Sequence, residues 1–176
     1  VDIEPSQLGK IVNTNYALEG TCLDFLTKVE PYINYSERTN WMEFITINKK
    51  QHPFEYKVSK TDDLNMEYVL EEFNRQIKDT DVIITTGVGN HQMQTYQYIL
   101  SQYPKKILSS GSLGVMGAGL PYSIGAQIGN PNKLVIAIDG DSSFNMTLSD
   151  LKTIKENNLP IKIAIMNNSS QMMVTI

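Results

Sequence analysis

The sequence has a single cysteine, no excess of basic residues and no long apolar run, and each scarcity excludes something. Lone Cys22 has no partner for an internal disulfide, so no covalent staple is available and a reducing compartment is expected. With 15 Lys and Arg against 19 Asp and Glu, the net charge is −4. That balance argues against nucleic acid and against a membrane as partner, since both favour a basic surface. No apolar stretch approaches the roughly 20 residues that span a bilayer. No internal repeat or low-complexity tract is present. No stretch has the pattern of a signal or transit segment, and the first residue is Val1 rather than Met. The remaining composition is that of a globular chain: 176 residues, 41% apolar, enough for one domain or one domain plus part of another. It stops at Ile176 with no helix to close the last unit, so a piece of a longer polypeptide is expected.

Residues 1–62 differ in character from the rest. Val1 to Ile3 reads as the tail of a strand, and Glu4-Pro5-Ser6 as a turn in which Ser6 caps a short helix through Lys10. Leu23 to Val29 has apolar residues at helical spacing. Glu37 to Lys50 reads as a surface helix carrying Trp41, Phe44, Ile45 and Ile47, and Gln51 to Thr61 as a linker. Met66, Val69, Leu70, Phe73 and Ile77 mark an amphipathic helix. From Asp81 the pattern alternates. Strands are expected at Val82–Ile84, Ile107–Leu108, Leu134–Ile138 and Ile161–Met166. Helices are expected over His91–Leu100, Leu120–Ile128 and about Leu148–Asn157. The alternation predicts an α/β fold with a parallel sheet and a site at its carboxyl edge. Residues 86–92, 109–117, 139–146 and 167–174 are the expected edge loops.

Those loops carry the chemistry. The stretch LVIAIDGDSSFNMTLSDLKTIKENNLPIKIAIMNN, residues 134–168, runs strand, acidic turn, helix, strand, asparagine pair. It places the Asp141 carboxylate and the Asn168 carboxamide at the ends of two parallel strands. Hard oxygen ligands in that arrangement suit Mg²⁺, with the backbone carbonyl of Ser170 and a diphosphate completing the shell. Asp139 is expected to be structural. A bare Asp and Asn would more readily be turn formers; the whole pattern reverses that and favours metal and diphosphate, and so a thiamine diphosphate site. Gly87-Val88-Gly89-Asn90-His91 follows a strand and opens a helix, where exposed amides can cradle phosphate with Asn90 and His91 donating. Taken alone, His91 reads better as a capping or core histidine. Gly111 to Gly117 lets backbone approach a flat ligand. Met116 sits in it, adaptable and polarizable, although a packing role is the ordinary one for Met. Met146, Met172 and Met173 would extend a thioether wall.

The stretches DIEPSQLGK, GVGNHQM, SSGSLGVMGAGLPYSIGAQ, IDGDSSFNMTLSDL and IMNNSSQMMV together resemble the catalytic subunit of acetohydroxyacid synthases (acetolactate synthases), enzymes dependent on thiamine diphosphate. The resemblance covers most of the chain. It implies three parts: residues 1–30 as the end of a middle domain that contacts FAD, 31–62 as a linker, and 63–176 as the first part of the diphosphate-binding domain. It implies Mg²⁺ ligation by Asp141, Asn168 and Ser170. Cofactor contacts are implied for Val88, Gly89, Asn90 and His91, for Gly114 and Met116 at the aminopyrimidine, and for Gly140, Ser142, Ser143, Met146 and Met173. Asp2 and Ile3 would touch FAD, which is structural in the family. The implied activity belongs to valine, leucine and isoleucine biosynthesis: pyruvate is decarboxylated and condensed with a second 2-ketoacid. A homodimer or higher oligomer and a regulatory subunit are implied partners. The SFNMTL wording leans towards fungal members and a mitochondrial location; otherwise a plastid or the bacterial cytoplasm is implied.

Four positions depart from the family pattern. Met172 stands where Gly is usual, which would strain the loop if that position needs a positive φ. Ser112 replaces Gly, Gln94 replaces Trp, and Ser142 stands where Gly or Ala is common. No residue matches the family's cofactor-activating Glu, so no catalytic residue is expected in this chain and residues 1–176 alone should be inactive. Two other functions remain open on the residues: another thiamine diphosphate enzyme (an oxidase, decarboxylase or carboligase), or a non-catalytic diphosphate-binding module. An isolated sheet of this kind would also leave an unpaired edge, an aggregation hazard.

Overall fold

The computed structural model describes residues 1–57, 64–99 and 106–174. The tail of the linker over 58–62, the domain start at residue 63, the helix end at Leu100 and the chain end at Ile176 lie outside the described residues. The chain divides into two compact units, Val1–Glu55 and Tyr56–Ile176.

The first unit is built from local contacts. Asp2 forms a parallel bridge with Glu19, with Asp2 N donating to Leu18 O and Gly20 N to Asp2 O. The short helix expected through Lys10 is a single 3-10 turn, Pro5–Gln7, and its cap is Glu4 rather than Ser6. Pro5 has no N–H to offer and starts the turn, so the residue before it takes the capping position, where the Glu4 carboxylate accepts from Ser6 N at 3.1 Å. Helix α1, Cys22–Val29, is capped by Thr21, whose hydroxyl accepts from Asp24 N. Helix α2, Thr39–Gln51, carries a stacked Trp41–Phe44 pair, with ring centroids 5.6 Å apart. No residue of this unit is buried, and Leu23, Leu26, Trp41 and Phe44 are all more than half exposed.

The second unit is a parallel α/β layer structure. Helix α3, Met66–Ile77, presents the apolar stripe that its periodicity predicts, with Leu70 and Ile77 buried. Strands β1 (Val82–Thr86), β2 (Ile107–Ser109), β3 (Leu134–Gly140) and β4 (Lys162–Met166) form a parallel sheet in the order β2-β1-β3-β4. Between them run α4 (Asn90–Tyr98), α5 (Gly119–Gly129), α6 (Asp141–Met146) and α7 (Leu151–Glu156). Strand residues point alternately to the two faces. Val82, Ile84, Ile136 and Ile138 therefore pack with Leu70, Ile77 and Ile99 on one side, while Ile83, Val135 and Ala126 pack on the other. Burying Leu70 or Ile138 completely stabilises the fold by about 1.5–3 kcal/mol each. Among the described residues β4 pairs only with β3, and it is partly exposed along its length, as the expected open edge requires.

Two expectations are corrected here. Residues 139–146 are not a loop: β3 continues through Gly140 and α6 begins at Asp141 without an intervening residue. The helix expected over Leu148–Asn157 starts as a 3-10 turn, Leu148–Asp150, before α7.

Candidate functional site

Register alone brings the site together. Gly140 at the end of β3 pairs with Met166 at the end of β4, so Asp141 and Asn167 leave the sheet side by side. Thr86 pairs with Ile138 on the other flank, which brings the Gly87–Asn90 turn to the same edge. A cleft of about 250 Å³ opens there. Val88, Gly89, Asn90, His91, Gly114, Met116, Gly140, Asp141, Ser142, Ser143, Asn168, Ser170 and Met173 all line it. Met146 does not appear in that lining: its side chain is 58% exposed and its Cβ backs onto Gly117. Asp2 and Ile3 belong to the first unit, where the Asp2 carboxylate accepts from Glu4 N and Ile3 is exposed.

The cleft also contains Met66, Met166, Gln171, Met172 and Val174. Met172 is the expected wall residue; Met166, Gln171 and Val174 fall within the IMNNSSQMMV stretch without an individual role expected for them, and Met66 has no sequence signal as a site residue. Met66 reads only as the first apolar position of α3; its place in the cleft depends on how that helix docks. The lining thus has a polar part, with Asn90, Asp141, Ser142, Asn168 and Ser170, and an apolar part with five methionines and Val174.

The glycine-rich segment is latched to α6. Gly117 N donates to Ser143 Oγ at 2.9 Å, and Thr147 Oγ1 donates to Gly117 O at 2.9 Å. Gly117 has a φ of +78°, which a residue with a Cβ adopts only with strain, and that Cβ would press on Met146 and Thr147. Ser110 closes the other end of the segment, its hydroxyl accepting from Val115 N. The Ser143 hydroxyl, buried at 1% exposure, is thus held by backbone.

The loop after β4 is shaped by two side-chain turns. Asn167 Oδ1 accepts from Ser169 N and Asn168 Oδ1 accepts from Ser170 N. Positive φ falls on Ser169, at 55°, and not on Met172. The strain considered for Met172 is therefore absent, and its side chain simply joins the cleft wall. Gln94 donates to Glu67 Oε1 on α3.

The donor set fits a divalent cation held jointly with an anionic ligand. Among the described residues no three acidic, His or Cys side chains converge as a self-sufficient metal cluster. One carboxylate, one carboxamide oxygen and a backbone carbonyl leave a hard cation short of its usual six or more oxygens, which a diphosphate and water can supply. Asn168 Oδ1 retains a second lone pair beyond its bond from Ser170 N. Nearby, His91 and Asp139 form a buried pair, Nε2 to Oδ1 at 3.2 Å, at 5% and 1% side-chain exposure.

Comparison with known proteins agrees with this geometry. Residues 87–176 match the family described as thiamine pyrophosphate enzyme, C-terminal TPP binding domain. The chain is similar to the mitochondrial acetolactate synthase catalytic subunit of Saccharomyces cerevisiae, at 40% identity over 99% of this chain and 26% of that protein. It is 39% identical to the mitochondrial acetolactate synthase of Schizosaccharomyces pombe, over 99% of this chain and 27% of that protein. With the acetolactate synthase isozyme 1 large subunit of Escherichia coli the identity is 36%, over 97% of this chain and 30% of that protein. The chain thus spans about a quarter to a third of the length of these relatives. With its second half matched to the family model and its cleft at the matching strand ends, the chain belongs to the thiamine pyrophosphate enzymes and carries their C-terminal TPP-binding domain.

Proposed function

We propose that the chain is the cofactor-binding part of an acetolactate synthase catalytic subunit. The observation that carries this reading is the two-sided cleft, in which Asp141, Asn168 and Ser170 from adjacent strand ends share a space with five methionines. In this reading the Asp141 carboxylate, the Asn168 carboxamide and the Ser170 carbonyl hold Mg²⁺. Asn90, His91 and the backbone at Val88 and Gly89 hold the diphosphate, beside Gly140, Ser142 and Ser143. Gly114 and Met116 meet the aminopyrimidine, and Met173 shapes the substrate side; Met146, outside the cleft lining, has no part in this reading. The apolar wall excludes water from that side, and the polar part orients the charged end. Bound thiamine diphosphate supplies the electron sink for breaking the bond between the carbonyl and carboxylate carbons of a 2-ketoacid.

The rest of the reading follows the same relatives. Pyruvate and a second 2-ketoacid are the substrates. The printed names "catalytic subunit" and "large subunit" for the S. cerevisiae and E. coli proteins support a regulatory partner; a homodimer or higher oligomer belongs to the same reading. The mitochondrial names of the two yeast proteins support a mitochondrial location. Residues 1–30 are read as the tail of an FAD-contacting middle domain with Asp2 and Ile3 at the flavin, 31–62 as a linker and 63–176 as the first part of the diphosphate-binding domain. The absence of any buried residue in the first unit supports its being part of something larger.

The test is product analysis on the protein carrying this chain, supplied with pyruvate, thiamine diphosphate and Mg²⁺. Acetolactate, with one carbon dioxide released for every two pyruvates consumed, is expected. One carbon dioxide per pyruvate, with an aldehyde or an oxidised product, would replace the reading with a decarboxylase or oxidase. Cofactor binding without turnover would leave a binding module.

A further inference from the structure

We infer that Asp139 is a positioning residue that works through His91, the pair setting the spacing between the Gly89–Asn90 turn and the Asp141 carboxylate. This rests on the cofactor reading above and adds a residue to it.

The carboxylate and the imidazole meet far from solvent. Asp139 is 0% exposed and His91 4%, and Nε2 lies 3.2 Å from Oδ1. A charged group at such a place is costly unless it has a partner, and packing alone would be served as well by an apolar side chain. The backbone is thinned to make room for the pair. A Cβ on Gly87 would collide with Asp139 Oδ1, and one on Gly119 would come within 2.5 Å of Oδ2. On the ring side, a Cβ on Gly140 would sit 2.8 Å from His91 Nδ1, and one on Gly89 2.8 Å from Cε1. Asp139 thus lies between the end of β1 and the start of α5. The ring lies between Gly89 and Gly140, and both of those segments line the cleft.

Asp139 Oδ1 also accepts from Gly140 N at 3.0 Å, which fixes the turn that delivers Asp141. Nε2 faces Oδ1 at ion-pair distance without hydrogen-bond alignment, and the Nδ1–Cε1 edge lies against Gly89 and Gly140. A ring so clamped cannot swing without separating the two segments. Groups that hold a ligating or orienting histidine from behind act in this way elsewhere in proteins, through ring orientation and tautomer.

A double-mutant cycle separates this role from a general effect on the fold. Dissociation constants for thiamine diphosphate at saturating Mg²⁺ are measured by calorimetry on the protein carrying this chain, on Asp139→Asn, on His91→Gln and on the double variant. Asn keeps the size of the side chain and removes its charge. Expected is a loss of about tenfold or more for Asp139→Asn when His91 is present. With Gln at 91, the same change should cost less than about threefold, because the two residues act as one unit. Equal losses in both backgrounds, or no loss in either, would overturn the inference. Should Asp139→Asn fail to fold, nitrogen NMR of the His91 ring in the unsubstituted protein decides instead. A proton held on Nε2 is expected, and a bare Nε2 overturns the inference. An unsubstituted protein with no affinity for thiamine diphosphate would remove the cofactor reading, whereas additive losses in a protein that binds it would remove this inference alone.

Discussion

Gly87→Ala tests how tightly the carboxyl edge is assembled. Gly87 has no left-handed φ, so the backbone itself accepts alanine and the cost is steric. The new methyl would collide with Asp139 Oδ1 and Ser143 Oγ, two atoms of side chains that are 0% and 1% exposed. Two responses are available. If the carboxylate holds its place, overpacking strain costs about 1–3 kcal/mol. If it moves off His91, a buried charge is left unpaired at about 3–5 kcal/mol. The cheaper response prevails, so the expected loss is roughly 2–3 kcal/mol, a large part of the about 5–15 kcal/mol that holds a typical domain together. Gly125→Ala is the control. It lies within α5, is exposed, and a Cβ there meets nothing within 4 Å. Removing a helical glycine should stabilise by about 0.5–1 kcal/mol. Urea unfolding of both variants gives the two values. A neutral Gly87→Ala, or the same sign for both variants, would refute the reasoning about the edge.

Three further outcomes are expected. Asp141→Asn should weaken Mg²⁺-dependent cofactor binding by at least about tenfold, because the only side-chain anion in the proposed ligand set is lost. It should leave the unfolding free energy within about 1 kcal/mol, as expected for a half-buried charge at a helix start. Leu70→Ala should destabilise by about 2–5 kcal/mol in chemical denaturation, since Leu70 is 0% exposed in the core under the sheet. Tyr56 should make stability fall in alkali. Its hydroxyl donates to Glu71 Oε2 at 2.9 Å; loss of solvent and then Glu71 push it from 10.0 up to about 12. The folded form therefore holds this proton more tightly than the unfolded one. The contribution is complete below pH 10 and fades as pH rises through about 12, so the stability gap to Tyr56→Phe should close over that range.

Much of the second unit is legible in the sequence because its signals are local. Alternating apolar runs and helical stripes give β1, β3, β4, α3 and α5 to within a few residues, and the parallel order follows from the alternation. Most candidate site residues converge on one cleft for the same reason: motifs at strand ends meet wherever the sheet is parallel. The remainder depends on contacts distant in sequence. Nothing near Asp139 announces His91, and nothing near Gly117 announces Ser143 and Thr147; each pairing exists only once β1, β3 and α5 are packed. Met66 and Met166 enter the cleft by the docking of α3 and the register of β4, which apolar periodicity does not report. At Glu4 the local signal was present but misassigned, since Pro5 fixes which residue can cap.

The most direct measurement is calorimetric titration of the protein carrying this chain with thiamine diphosphate, once with Mg²⁺ present and once with the cation chelated. Saturable binding of one cofactor per chain that disappears on chelation is expected from Asp141, Asn168 and Ser170 acting with the diphosphate around a shared cation. Absence of binding, or binding of the same strength without Mg²⁺, would contradict it.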